Sequence, residues 1–304
     1  MLTRSVLLHV AERPSIRRFM LRSRAARAVA RRFVAGETVA DGLAAAAAVN
    51  AQGMAVSLDH LGENVHTGAE AAGARDVYFR LLHEIDVRGL DANVSVKLTQ
   101  LGLDVSEERC RQHLAAVVER AASLHTFVRV DMEGSAYTGR TLAAVRELHS
   151  RLPNVGAVIQ SYLYRSERDV EQLLAEQIRI RLCKGAYQEP PEVAYPKKAD
   201  VDANFVRLMR MLLKSGIYHG MATHDERMIR ATVDFATAER IARDAFEFQM
   251  LYGIRRDLQR RLRQNGYRVR VYIPFGSQWF PYLTRRLAER PANLLFFVRN
   301  LLRD

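Results

Sequence analysis

Past a basic start, the chain alternates between two hydrophobic rhythms. Short segments with apolar residues contiguous or at every second position recur at 54–58, 94–99, 127–132, 155–160, 178–183, 217–223, 246–251 and 269–273, which is the pattern of strands. Between them lie stretches of helical length with one apolar stripe, such as 107–123, 141–151, 201–214 and 226–243. An alanine-rich stretch at 38–50 precedes the first strand, with Thr38 placed to cap it. Eight strand–helix repeats over roughly the 250 residues a barrel needs predict an α/β fold, a distorted (β/α)8 TIM barrel. The barrel would take residues 51–304, C-terminal helices included, with a helical basic segment, 1–50, packed on it. A doubly wound open sheet is the alternative that element order leaves open.

Strand side chains alternate between faces, so each strand also tells which residues enter the barrel. In NVSVKLT the apolar set Val94, Val96 and Leu98 faces the helices, and Ser95, Lys97 and Thr99 face inward. The same rule sends Arg129 and Asp131, Arg179 and Arg181, and Tyr272 inward; Gln160 ends the fourth strand, and Glu247, Gln249 and Leu251 share one face of the seventh. A lumen this polar is costly unless its charges are paired or bind a ligand. Arg129 and Arg179, near the strand bottoms, are expected in internal salt bridges. Lys97, Asp131, Gln160, Arg181 and Tyr272 lie toward the strand C-terminal ends, where barrel enzymes hold their chemistry.

Composition adds a few limits. With 304 residues, 48% of them hydrophobic, the chain can bury a large core. Its two cysteines, Cys110 and Cys183, stand far apart and offer neither a disulfide framework nor a zinc ribbon, which points to a reducing, cytoplasmic setting. No metal site is expected. The net charge of +12 suits a nucleic acid, an anionic membrane or an anionic substrate, but no reading module or interleaved exposed aromatics support nucleic acid. Eight arginines and no acid fall between residues 13 and 36, with Ile16, Met20, Ala28 and Phe33 among them. A transit peptide would look similar. A helix packed on the domain, with peripheral contact to the anionic inner face of the cell membrane, fits better because RRFVAGET runs directly into the folded pattern.

The final amphipathic segment begins at Ser277, a candidate N-cap, and ends near Pro291. Tyr282, Arg285, Arg286 and Glu289 share one helical face by their spacing. Adjacent guanidinium groups beside a tyrosine suit a small carboxylate, and spacing alone serves an exposed basic face equally well.

Together these segments resemble the proline dehydrogenase family, including the dehydrogenase domain of bifunctional proline utilisation proteins. The motifs run in order, one per barrel unit: SLDHLGENV, VSVKLTQLGLD, DMEG, VIQSYL, RLCKGAY, ATHD, FEFQMLYG, VYIPFG and YLTRRLAERPAN. The resemblance implies FAD-dependent oxidation of L-proline to Δ1-pyrroline-5-carboxylate, with non-covalent FAD, electrons passed to a quinone, and the last barrel helix over the strand C-terminal ends. It implies that Lys97, Arg285 and Arg286 hold the proline carboxylate and that Tyr272, Tyr187, Ala186 and Leu251 shape the pocket. A tyrosine at 272 is what proline-specific members carry. Asp131, Gln160, Arg181, Lys184, Gly185, Thr223, His224 and Glu289 would contact the cofactor, and Glu63 would pair with Arg285 as a gate. No residue is implied as a general acid or base. Gln188 stands where the bifunctional proteins commonly have tryptophan, which leaves the adenine side of the cofactor undefined, and the terminal NLLFFVRNLLRD fits the monofunctional branch. The competing enzyme reading is another flavin- or phosphate-anchored barrel, although LYGIRR and IPFGSQ lack the glycines such a phosphate loop uses.

Overall fold

A computed structural model describes residues 30–289, with side chains through Thr284. The predicted N-terminal basic helix lies largely outside the described residues, as do Pro291 and the terminal NLLFFVRNLLRD.

The strands are β1 (Ala55–His60), β2 (Ala92–Val96), β3 (Val128–Val130), β4 (Val155–Gln160), β5 (Ile180–Cys183), β6 (His219–Ala222), β7 (Phe246–Leu251) and β8 (Arg268–Phe275). They are parallel, pair in sequence order and close into a barrel where β8 meets β1. Helix α1 (Val39–Asn50) precedes β1 and packs on β1 and β8. The strands alternate with α2 (Gly68–Val87), α3 (Glu107–Ser123), α4 (Ser135–His149), α5 (Ser166–Ala175), α6 (Lys198–Lys214), α7 (Glu226–Ala238) and α8 (Arg256–Gln264), and α9 (Trp279–Glu289) follows β8. The open-sheet alternative is excluded.

Local chemistry explains the helix starts. Thr38 accepts the Asp41 N–H while the Asp41 carboxylate accepts the Thr38 N–H, a reciprocal cap that Thr67 and Glu70 repeat on α2. Ser106 caps α3, with Glu107 and Glu108 in its first turn facing the positive end of the helix dipole. Ser277 is not the cap of α9; it sits in a turn two residues before Trp279.

The core is the shell between strands and helices. Val56 and Leu58 of β1 stand beside Val271 and Ile273 of β8, Leu58 also beside Val94 of β2, and all five are buried under the helices. The ends of elements depart from the hydrophobic pattern where polar groups intervene. β2 stops at Val96 because the Thr99 N–H is taken by the Glu133 carboxylate and Leu101 N–H turns back to Lys97 O. α7 stops at Ala238 instead of 243 because Arg240 turns left-handed, at φ 57°.

The barrel bottom corrects one expectation. Neither Arg129 nor Arg179 pairs with a carboxylate among the described residues. Arg129 donates Nη1 to the carbonyls of Ala157 (3.3 Å) and Arg179 (3.1 Å) and stacks 4.8 Å from the Phe127 ring centre; burial pulls its pKa down to about 9. Arg179 is exposed and lies over Phe127 and Tyr218. The ion pair there is Arg270 with Glu247, at 2.8 Å, and Tyr218 donates its hydroxyl to the same carboxylate at 3.0 Å. Among the described residues no helix is long and apolar enough to cross a membrane.

Candidate active site

Above that layer the lumen opens at the strand C-terminal ends into a cavity of about 440 Å³, within the range of roughly 300–1,000 Å³ usual for ligand and cofactor sites. Every strand end contributes. Asp59 comes from β1, Lys97 follows β2, Asp131 follows β3, Gln160 ends β4, Arg181 lies in β5, Thr223 and His224 follow β6, Leu251 ends β7 and Tyr272 projects from β8.

Charge organises the floor. Arg181 donates Nη1 to Asp131 Oδ1 at 2.6 Å, and its other nitrogens reach Gln249 Oε1 and the hydroxyls of Ser95 (3.0 Å) and Ser57 (3.3 Å). Its guanidinium carbon lies 5.1 Å from the centre of the Tyr272 ring, within the range of a cation–π attraction. The Tyr272 hydroxyl donates to the second Asp131 oxygen at 2.7 Å. Burial and then the Asp131 charge push the Tyr272 pKa well up, so it remains a phenol.

Lys97 donates to Asp59 at 2.8 Å and stands 3.7 Å from Asp131. Burial opposes its charge, but the carboxylates of Asp59 and Asp131 outweigh that and raise its pKa well above the ordinary lysine value. It is an ammonium at any working pH.

The rim is held by a second network. Lys184 bridges Asp202 (2.5 Å) and Asp225 (2.7 Å), and Lys198 and Arg227 add to the same carboxylates. Burial would raise Asp225, yet the hydrogen bonds from Arg227 and Lys184 hold it below the usual carboxylate range. His224 accepts the Leu251 N–H on Nε2 at 3.1 Å, which puts its ring proton on Nδ1. Gly185 turns at φ +123°, and a side chain there would strike the Tyr162 ring.

Of the residues singled out by sequence, Lys97, Tyr272, Tyr187, Ala186, Leu251, Glu63, Asp131, Gln160, Arg181, Lys184, Gly185, Thr223 and His224 all line this cavity. Arg285, Arg286 and Glu289 belong to α9, but their side chains lie outside the described ones. Tyr282 of α9 does line the cavity, so that helix reaches over the strand ends. Sequence reasoning missed Asp59, Gln249 and the Asp202–Asp225 pair as site residues. The alternation of Ser57 and Asp59 with Val56 and Leu58 is the signal that points to Asp59.

The lining suits a flat ring system with an anionic tail. Val158, Ala222 and Met250 give apolar surface, Arg181, Gln160 and Gln249 give hydrogen-bonding groups, and Lys184 and Lys198 give cations at the rim.

Residues 43–299 match the family model described as proline dehydrogenase. The chain is 41% identical over 307 residues to proline dehydrogenase of Deinococcus radiodurans, covering 99% of this chain and 98% of that protein. It is 38% identical over 300 residues to proline dehydrogenase 1 of Bacillus subtilis subsp. natto, covering 99% of both. Among solved structures, proline utilization A of Bdellovibrio bacteriovorus, inactivated by N-propargylglycine, superposes with a TM-score of 0.82 at 28% identity. That match covers 87% of this chain, which spans 33% of the larger protein.

Proposed function

The chain belongs to the proline dehydrogenase family of oxidoreductases, and from that premise we propose that it oxidises L-proline to Δ1-pyrroline-5-carboxylate with non-covalently bound FAD, electrons passing on to a quinone. The observation that carries the reading is the convergence on Asp131. Arg181, Tyr272 and Lys97, from three different strand ends, meet at one carboxylate inside a cavity of cofactor size.

The cavity residues fit the flavin on chemical grounds. Asp131, Gln160, Arg181, Gly185, Thr223 and His224 would hold its ring and ribityl region, Lys184 its anionic part, and Glu289 a hydroxyl. When bound, FAD would supply the acceptor for a hydride equivalent leaving C5 of proline, at flavin N5.

The protein's own work is binding and orientation. Lys97 would hold the substrate carboxylate with Arg285 and Arg286, which spacing puts on the face of α9 that begins with Tyr282. Tyr272 and Leu251 would pack on the pyrrolidine ring, with Ala186 and Tyr187 closing the side. Glu63, on the cavity wall, would pair with Arg285 when the site closes. Nothing in the pocket needs to take the substrate proton: Asp131 is bound to Arg181 and Tyr272, and Tyr272 and Lys97 stay protonated. Proline would therefore react as the neutral amine, and turnover should rise above neutral pH.

Contact with an anionic membrane is supported by the arginine-rich sequence before residue 36 and by the quinone's own location in lipid. The basic segment 1–50 would pack on the barrel of 51–304.

The test is proline oxidation followed through the trapped cyclic imine product. Arg286→Met should raise the proline KM about 100-fold, the loss of about 2.7 kcal/mol expected for a charge-assisted pair, while the flavin stays bound. Loss of the flavin instead would overturn this division of roles.

A further inference from the structure

The loop after β5 carries Gly185, Ala186 and Tyr187 into the cavity and then runs on to α6, and it is tied at two points to one short segment, Glu133, Gly134 and Ser135, between β3 and α4. The inner tie is Gln160, whose Nε2 donates to the Glu133 carbonyl at 2.9 Å and whose Oε1 accepts the Ala186 N–H at 3.4 Å. The outer tie is Glu189. Its Oε1 accepts the Ser135 N–H at 2.7 Å, its Oε2 accepts the Ser135 hydroxyl, and the Tyr162 hydroxyl donates to Oε1 at 3.3 Å.

The helix has a need that Glu189 meets. The N-cap of α4 is Gly134, which offers no side chain to the free N–H groups of the first turn, and α4 has no acidic residue there. A carboxylate 54 residues further along the chain supplies both the acceptor and the negative charge that the helix dipole favours. Tyr162 completes the circuit: its hydroxyl reaches Glu189, its ring lies against Gly185, and its backbone N–H donates to Lys184 O at 2.9 Å.

We propose that Glu189 is a positioning residue that fixes the substrate wall of the pocket. It does so by clamping the loop that bears Ala186 and Tyr187 to the N-terminus of α4, a few residues from Asp131. The position of that wall relative to Asp131 and Arg181 then sets how closely a five-membered ring is gripped, so Glu189 governs proline affinity and selectivity against bulkier ring analogues while touching neither substrate nor flavin. This rests on the reading that Ala186 and Tyr187 line the proline pocket.

Two variants cut the clamp from opposite sides. Glu189→Ala removes the acceptor. Ser135→Pro removes both donors, and proline is well accepted at the first helical position, the more so because Gly134 already has the extended φ −60°, ψ 161° that a following proline requires. In the full-length, flavin-loaded protein each should raise the proline KM about tenfold, equivalent to about 1.4 kcal/mol, with kcat close to wild type and weaker discrimination against larger cyclic amino acids. The double variant should be no worse than either single one, because both remove the same contact. Glu189→Gln, which keeps an acceptor for the Ser135 N–H, should stay near wild type. Backbone hydrogen exchange at residues 185–195 should quicken in the two cut variants. Unchanged KM and unchanged exchange in Ser135→Pro and Glu189→Ala would overturn the proposal, as would additive losses in the double variant. If the wild-type protein failed to oxidise proline, the functional reading would fall, while the exchange rates would still decide whether the clamp exists.

Discussion

Lys97 keeps its charge in a buried position because Asp59, itself only 1% exposed, faces it at 2.8 Å and Asp131 adds its charge at 3.7 Å. Removing one partner of such a pair strands the other, which costs about 3–5 kcal/mol, whereas replacing both with apolar groups costs far less. Asp59→Ala should therefore lower stability in urea by about that amount, and the double change Asp59→Leu with Lys97→Met should recover most of it. Equal losses in the single and double variants would mean that the stranded charge of Lys97 is not the origin of the loss. Lys97 was legible in the sequence because it interrupts an apolar alternation at an inward position. Asp59 is passed over when the strand is read as ending with its last apolar residue, Leu58, whereas the alternation that begins at Val56 and Ser57 runs on through Asp59 and the strand continues to His60. A strand whose last residues are polar loses its apolar signal at the end that carries the chemistry.

At the scale of elements, β5 and β6 are joined at their N-terminal ends by a histidine. His219 accepts the Ile180 N–H on Nδ1 at 2.9 Å, which leaves its Nε2–H to meet Ser215 Oγ at 3.1 Å in the turn after α6. Burial, with Arg129 nearby, lowers its pKa from 6.5 to about 3. Because the folded value lies below the unfolded one, the stabilisation is complete above pH 6.5 and is lost as the pH falls toward 3. Urea midpoints compared at pH 6.5 and about 4.5 should show a loss of about 2–3 kcal/mol that His219→Asn abolishes; an identical acid loss in that variant would place its origin elsewhere. The existence and order of the strands were legible, since eight short apolar runs alternate with amphipathic stretches. Their ends were not, because an end is set by individual polar contacts such as Thr99 with Glu133, which no periodicity records. The start of α4 was likewise hidden: its first turns carry Thr138 and Thr141 as buried residues, so the apolar stripe emerges late.

The whole molecule is a barrel whose two ends divide the labour. Polar groups at the bottom satisfy one another, as Arg270 and Tyr218 do with Glu247, and stabilise the closed sheet. Those at the top are arranged around a cavity, with Asp131 shared among three partners. This division explains why a polar lumen could be read from sequence as a site while the partners of individual arginines could not: facing is fixed by alternation, and pairing is fixed by neighbours distant in the chain. Arg129 and Arg179 face the bottom as alternation requires, yet they rest on carbonyls and rings where Gly156 leaves room beside Phe127. Whether proline reduces a flavin in the upper cavity is decided by an anaerobic titration followed in the visible spectrum. The purified protein, loaded with FAD, should be yellow and should bleach on addition of L-proline; a folded, FAD-loaded protein whose spectrum proline leaves unchanged would contradict the proposed oxidation.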